Sequence, residues 1–424
     1  MGGQVCRTLG PRRGRAAAAL AALAGLAVAL APSVGHAPAA PAAAGEAEAP
    51  AAPSLAPTVR PAALADLGRK DKVHLAYFVP KDRKPVADWS EKIAVVMTFV
   101  NDVYARDLRS KGYETAGLDF EFKDGKPLVH LLAGKETAAE YNGDPKFDGM
   151  RQWSKIVPEV EAALGPAGRN LYVVFTETYT EGPWKFEFPG GFALGARFSA
   201  TGGVGMFSAW ILRDEFCATT VEGQLKWLAD ETPVRGRTAL GCGRPDSPRF
   251  EFIEDGFGAV AHELGHAFGL THDCRADQID IMGNGFRELR QNYLGPQAAD
   301  GPRIGFGMDA ARLLRWSRFL AGDADLADTE PPQAVIEHPT KLKAGATTFH
   351  LGGTVTDDKA LAGILYFSPR HDWVLGGSDL CGRQVRLNQP LIVPPLEKGA
   401  FEVVILIIDR GGNIGTVNVK MAVE

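Results

Sequence analysis

The chain reads His262-Glu263-Leu264-Gly265-His266-Ala267-Phe268-Gly269-Leu270-Thr271-His272, and no other stretch of its 424 residues constrains the fold as much. The pattern is H-E-x-x-H-x-x-G-x-x-H. A helix turns once in about 3.6 residues, so His262 and His266 share one face, one turn apart. A third imidazole on the same helix would be collinear with them, so the helix must end and the chain must turn back. Gly269 sits where a left-handed residue permits that reversal, a conformation glycine adopts without penalty. His272 then supplies a third nitrogen for one zinc ion, and a fourth position stays open for water. Glu263, next to His262, is placed to accept a proton from that water and pass it to a leaving group.

Strand and helix signals alternate around this motif. Residues 73–79 (VHLAYFV) predict a strand ending at Pro80. Residues 88–109 predict a helix capped by Asp88, with Ile93, Val96, Met97, Val100, Val103 and Tyr104 at helical spacing. Strands are expected at 118–122, 128–132 and 171–175, the last continuously apolar and so buried on both faces. A helix over 148–164 is expected to break or kink at Pro158. Residues 192–198 and 204–212 read as a hairpin turning at Gly202-Gly203, and 213–250 as irregular. The motif helix spans 251–268, and a final helix 308–320. From Thr329-Glu330-Pro331-Pro332 onward the helical period disappears. Alternating stretches at 347–355, 363–367, 401–408 and 416–423 predict a small β-sandwich.

The first residues form a separate object. Arg7, Arg12, Arg13 and Arg15 precede an uncharged, Ala-rich run at 16–31, which reads as an export signal covering 1–44. The run is short for a membrane span, so no stable insertion is expected after cleavage, although a retained anchor is the alternative. Residues 45–65 read as an Ala/Pro-rich linker, too short for a long pro-domain. The signal holds four Arg and no acid, so its removal takes the net charge from −5 to −9. An acidic chain without a basic stripe argues against nucleic-acid binding. The expected setting is secreted or periplasmic, and the expected state a monomer.

The motif resembles the metzincin clan of zinc metalloproteases. Met282, in Ile281-Met282-Gly283, stands where that clan has a methionine turn, which forms a hydrophobic base beneath the metal without binding it. Asp273, directly after His272, is similar to the adamalysin branch, where it supports the site without binding the ion. The resemblance implies a mixed α/β catalytic domain over 66–328, with a twisted mixed sheet beside the zinc helix. It implies His262, His266 and His272 as ligands of one catalytic Zn2+, Glu263 as general base, and a peptide substrate bound as an added strand. The candidate edge is 192–198, with Gly190, Gly191 and Gly195 permitting close approach. The tyrosine that some clan members place two residues after the methionine is absent, since Asn284 stands there. No pattern indicates calcium.

Residues 333–424 resemble bacterial Ig-like modules, either a surface anchor or a spacer. Four cysteines follow the signal: Cys217, Cys242, Cys274 and Cys381. An even number in an exported chain suggests disulfides, with Cys217–Cys242 and Cys274–Cys381 as the candidate pairing and free buried thiols as the alternative. Cys242-Gly243-Arg244-Pro245-Asp246 also matches the core of the matrix metalloproteinase cysteine switch, displaced to within the catalytic domain. Three functions compete: a secreted zinc endopeptidase, a non-catalytic extracellular binding protein whose zinc is structural, and a hydrolase of another amide or ester using the same zinc water. An intact Glu263 favours the first.

Overall fold

Strand β1 (Val73–Val79) lies inside a five-stranded sheet, and its seven residues are almost wholly buried. The computed structural model describes residues 56–143, 147–182, 188, 191–199, 201–234, 247–276 and 278–424. The expected signal segment, most of the linker, Gly190 and residues 242–246 lie outside them. After β1 come helix α1 (Trp89–Ser110), a short antiparallel pair β2 (Phe122–Lys123) and β3 (Lys126–Pro127), and strand β4 (Val129–Ala133). Helices α2 (Ala138–Asn142) and α3 (Gly149–Leu164) precede β5 (Leu171–Thr176). A hairpin of β6 (Ala193–Arg197) and β7 (Gly203–Ser208) follows, then α4 (Val221–Leu228), α5 (Arg249–Ala267), which carries the motif, and α6 (Met308–Trp316).

The sheet order is β4-β1-β5-β7-β6. All neighbours are parallel except β6, which runs antiparallel to β7 and forms one edge. This is the mixed sheet expected, with 192–198 at its edge. Helices α1 and α5 pack together on one face. Phe99 meets Phe257 edge-on with ring centroids 5.7 Å apart, and the Tyr104 hydroxyl donates to the Ala261 carbonyl at 2.8 Å. Leu75, Tyr77, Val173 and Phe175 share the same core cluster. Among the described residues no helix is long and apolar enough to cross a membrane.

Several local expectations need correction. Asp88 has φ 52° and makes no side-chain cap. Of the break or kink expected at Pro158, the break does not occur, since α3 runs through it. The carbonyl that this proline leaves unbonded belongs to exposed Ser154, where water can satisfy it. The strand expected over 118–122 shrinks to a bridge from Phe120 to Val73 and the two residues of β2. The second hairpin strand stops at Ser208 and gives way to a tight 3-10 turn over Ala209–Leu212. The stretch read as irregular contains α4, capped by the Thr220 side chain on the Gly223 N–H. The last helix ends at Trp316, four residues early.

The C-terminal residues form two sheets facing each other. One holds β8 (Gln333–Glu337), β10 (Thr348–Thr356) and β13 (Gln384–Ile392) in the order β13-β10-β8. The other holds β9 (Lys341–Leu342), β11 (Leu361–Ser368), β12 (Trp373–Asp379), β14 (Gly399–Asp409) and β15 (Ile414–Val423) in the order β12-β11-β14-β15-β9. Sequence reading missed β8, β9, β12 and β13. Strand β11 and the second half of β14, in the middle of the second sheet, are buried on both faces. Val403, Ile405 and Ile407 of β14 point into the sandwich core, while Val404, Leu406 and Ile408 join the core around α1 and α5. Leu365, Phe367, Val374 and Ile414 do the same. The sandwich therefore shares its outer face with the motif-bearing region.

Candidate metal centre

Helix α5 presents His262 and His266 one turn apart, with ring centroids separated by 4.9 Å. It can lie this close to the sheet because β6 has a glycine beneath it. A Cβ on Gly195 would fall 1.9 Å from the Glu263 carbonyl oxygen, so any side chain there would displace the helix. Gly195 thus admits the helix backbone, where the sequence suggested approach by a ligand. The helix ends as expected: Gly269 adopts φ +96° and its N–H returns to the His266 carbonyl. The chain then brings His272 to 3.1 Å from His266, Nε2 to Nε2.

Backbone acceptors fix the tautomers. The Nδ1 of His262 lies 2.6 Å from the Ile281 carbonyl, and the Nδ1 of His266 lies 2.9 Å from the Leu270 carbonyl. A carbonyl can only accept, so both Nδ1 atoms carry the proton and both Nε2 atoms keep a lone pair. The His262 Nε2 is buried and has no partner. Burial, followed by the neighbouring imidazoles, holds His262 well below its ordinary pKa and moves His266 down to about 3. The rings are therefore neutral donors at any ordinary pH. One nitrogen from each of the three lies within 4.8 Å of the others. Tetrahedral zinc with bonds of about 2.0–2.1 Å sets its nitrogens roughly 3.3 Å apart. The donor set and the orphaned Nε2 fit zinc.

Glu263 is 4 % exposed. Burial raises its carboxyl to about 8, partly offset by the Gly195 N–H that it accepts. Met282 is fully buried, and its sulfur occupies the space that a Cβ on Gly265 would need. The methionine therefore packs beneath the helix between the two histidines, and the preceding Ile281 carbonyl orients His262. Asp273 donates its N–H to the Met282 carbonyl at 3.1 Å, and its carboxylate is gripped by Arg275 at 2.6 and 2.8 Å. It braces the loop and holds Met282 in register.

Two further residues escaped sequence reading. Asp372, in the turn between β11 and β12, places Oδ1 3.7 Å from the His272 Nδ1, and its carbonyl accepts the Cys274 N–H at 2.9 Å. It comes from the sandwich, a hundred residues downstream, with no local signal. Asp280 accepts the Met282 and Gly307 N–H groups at 2.8 and 2.9 Å. Burial pushes its carboxyl up to about 7 against the pull of these bonds. A folded pKa above the unfolded value means that its contribution is complete below about pH 4 and is lost as pH rises through about 7. In zinc-free protein, the Tm advantage of wild type over Asp280→Asn should therefore shrink between about pH 5 and pH 8. A constant difference in thermal melts would show that Asp280 does not titrate there.

The cysteine expectations fare differently. Cys217 is buried, with its thiol directed at the Lys92 carbonyl, and no bridge joins Cys274 to Cys381. Cys217 is a free thiol, against its expected pairing with Cys242; Cys242 itself and the switch motif fall outside the described residues. A second group, His74, Glu121 and His130, gathers at the opposite edge of the sheet from β6. There both imidazoles already bond the Glu121 carboxylate, at 3.0 and 2.6 Å.

No family model and no curated protein matches this chain. Solved structures do. Catalytically inactive OgpA from Akkermansia muciniphila, in complex with an O-glycopeptide (glycodrosocin) substrate, aligns over 86 % of this chain and 96 % of its own, with TM-score 0.56 and 13 % identity. Wild-type OgpA in another crystal form aligns over 88 % and 97 %, with TM-score 0.54 and 15 % identity. At that coverage of both chains the likeness is one of whole architecture: the chain has the OgpA fold.

Proposed function

We propose that this chain is an exported zinc-dependent endopeptidase of metzincin type, with His262, His266 and His272 as the zinc ligands and Glu263 as general base. The observation that carries the reading is the buried, unpartnered His262 Nε2, gathered with two more imidazole nitrogens, next to the buried side chain of Glu263. When bound, zinc supplies a polarised water and an electrophilic centre. Glu263 takes the proton of the attacking water and delivers it to the leaving amine. The Gly195 N–H bonds its carboxyl group and restrains it. Among the described residues no strand pairs with the outer side of β6, and its backbone groups there are those an extended peptide would join as an added strand. Met282 and Asp273 support the ligands without touching the ion, and the mature chain acts as a monomer. A structural zinc would call on a fourth protein ligand. The nearest acid in sequence, Asp273, is engaged by Arg275 instead.

Peptides bearing an O-glycan are the first substrates to try, because the OgpA structure holds one. The test is cleavage of matched glycosylated and plain peptides by residues 45–424, before and after zinc removal. Cleavage that disappears on chelation and returns with one equivalent of zinc supports the reading. A protein that holds one zinc and cleaves neither class overturns it and favours the binding protein.

A further inference from the structure

A linker, a loop and a turn bring four carboxylates together where the sandwich meets the segment leaving α6. Asp328, Asp357 and Asp358 present oxygens that all lie within 4.8 Å of one another. Asp409 is fully buried alongside, and repulsion from Asp328 and Asp357 adds to burial in raising its carboxyl. Nearby cations are otherwise engaged. Arg318 donates to the Asp328 and Gly411 carbonyls, Arg410 lies over the Trp316 ring, and Lys359 is 3.9 Å from Asp325. Among the described residues, no side-chain cation pairs with any of the four.

A second observation is independent of the acids. Asn413 is fully buried, and its amide nitrogen donates to Asp409 Oδ2 at 2.9 Å and to the Asp328 carbonyl at 3.2 Å. That places its amide against Asp328, yet Asn413 Oδ1 has no partner. Asp328 Oδ2 and Asp357 Oδ2 are likewise buried without one. Buried oxygens are left unbonded only rarely, and an ion is one reason for it. Like charges gathered without a counter-ion point the same way.

We propose that Asp328, Asp357, Asp358 and Asn413 hold a calcium ion that clamps the sandwich loops to the connecting segment. The donors are all oxygen, as a hard cation requires, and offer no nitrogen or sulfur to zinc. Calcium–oxygen bonds of about 2.3–2.6 Å put opposite ligands roughly 5 Å apart, and the three aspartate oxygens lie within that reach of one another. Magnesium demands near-ideal octahedral geometry and gives up its waters reluctantly, so a site built from protein oxygens suits calcium better. The site shares no residue with the histidine centre and does not depend on the proposed peptidase activity.

The test uses the full zinc-loaded chain in calcium-free buffer. Terbium is added and excited through tryptophan, Trp316 lying beside the turn that carries Arg410. Sensitised emission that calcium displaces is expected. So is a Tm rise of roughly 3–5 °C at about 5 mM calcium. Asp357→Asn combined with Asp358→Asn should abolish both responses with zinc content unchanged. Its calcium-free Tm should equal or exceed that of wild type, because the repulsion is relieved. An identical calcium response in this variant, no response in wild type, or an equal response to magnesium overturns the proposal. If the double variant binds no zinc and so has not folded, Asp357→Asn alone serves, with the same outcomes.

Discussion

Glu263→Gln should lower kcat for peptide hydrolysis by roughly 10²–10⁴ while the protein keeps its zinc and its Tm. The amide matches the carboxylate in volume, so α5 keeps its seat over Gly195. Its oxygen can still accept the Gly195 N–H that now holds the acid. Burial already penalises the anion, to the extent of moving the carboxyl to about 8 without the ion, so a neutral side chain adds no desolvation cost. What disappears is the proton acceptor. Stopped assays with metal analysis on the same samples separate the two effects. A variant that turns over normally with full zinc would mean that another group takes the proton. A variant that loses zinc would assign Glu263 to holding the site together.

The difference between what sequence reveals and what it hides follows the range of the interactions. The three histidines, Glu263 and Gly269 could be read because their geometry is set within eleven residues by helix pitch and one left-handed turn. Met282 could be placed because its offset from His272 is short. Gly195 could be flagged but not understood, since the backbone it admits lies nearly seventy residues away in α5. Asp372 left no signal, as it reaches His272 only after the whole sandwich has folded. Pro158 suggested a break that does not occur, and the carbonyl it leaves without a backbone donor sits at exposed Ser154, open to water. One signal was present and underused. Residues 401–408 read FEVVILII, nearly unbroken in apolar character, whereas a two-sheet sandwich with one wet face alternates. Such a run means burial on both faces, and β14 is buried on both.

That double burial bears on whether the motif-bearing region stands alone. A chain ending at Asp328 should fail to fold as a soluble, zinc-loaded unit. It would lose Leu365, Phe367, Val374, Val404, Leu406, Ile408 and Ile414 from the core around α1 and α5. At about 1.5–3 kcal/mol for each large apolar side chain, the burial forfeited by these residues is at most roughly 10–20 kcal/mol. Whole-domain stability is only about 5–15 kcal/mol. Polar ties go with it. Arg197, at the end of edge strand β6, donates to the Ile414 carbonyl and to Thr416 Oγ1, and Arg318 donates to the Gly411 carbonyl. Asp372 no longer faces His272. The point variant Asp372→Ala isolates that last loss: it should weaken zinc about 10–100-fold without unfolding the chain. Circular dichroism, solubility and zinc content of the truncated chain decide the larger question. A soluble fragment that holds zinc and cleaves peptide would make the sandwich a spacer, as its sequence alone allows. An aggregated fragment beside a full chain that melts in one transition would make it a structural wall of the catalytic region, with one of its turns reaching the metal centre.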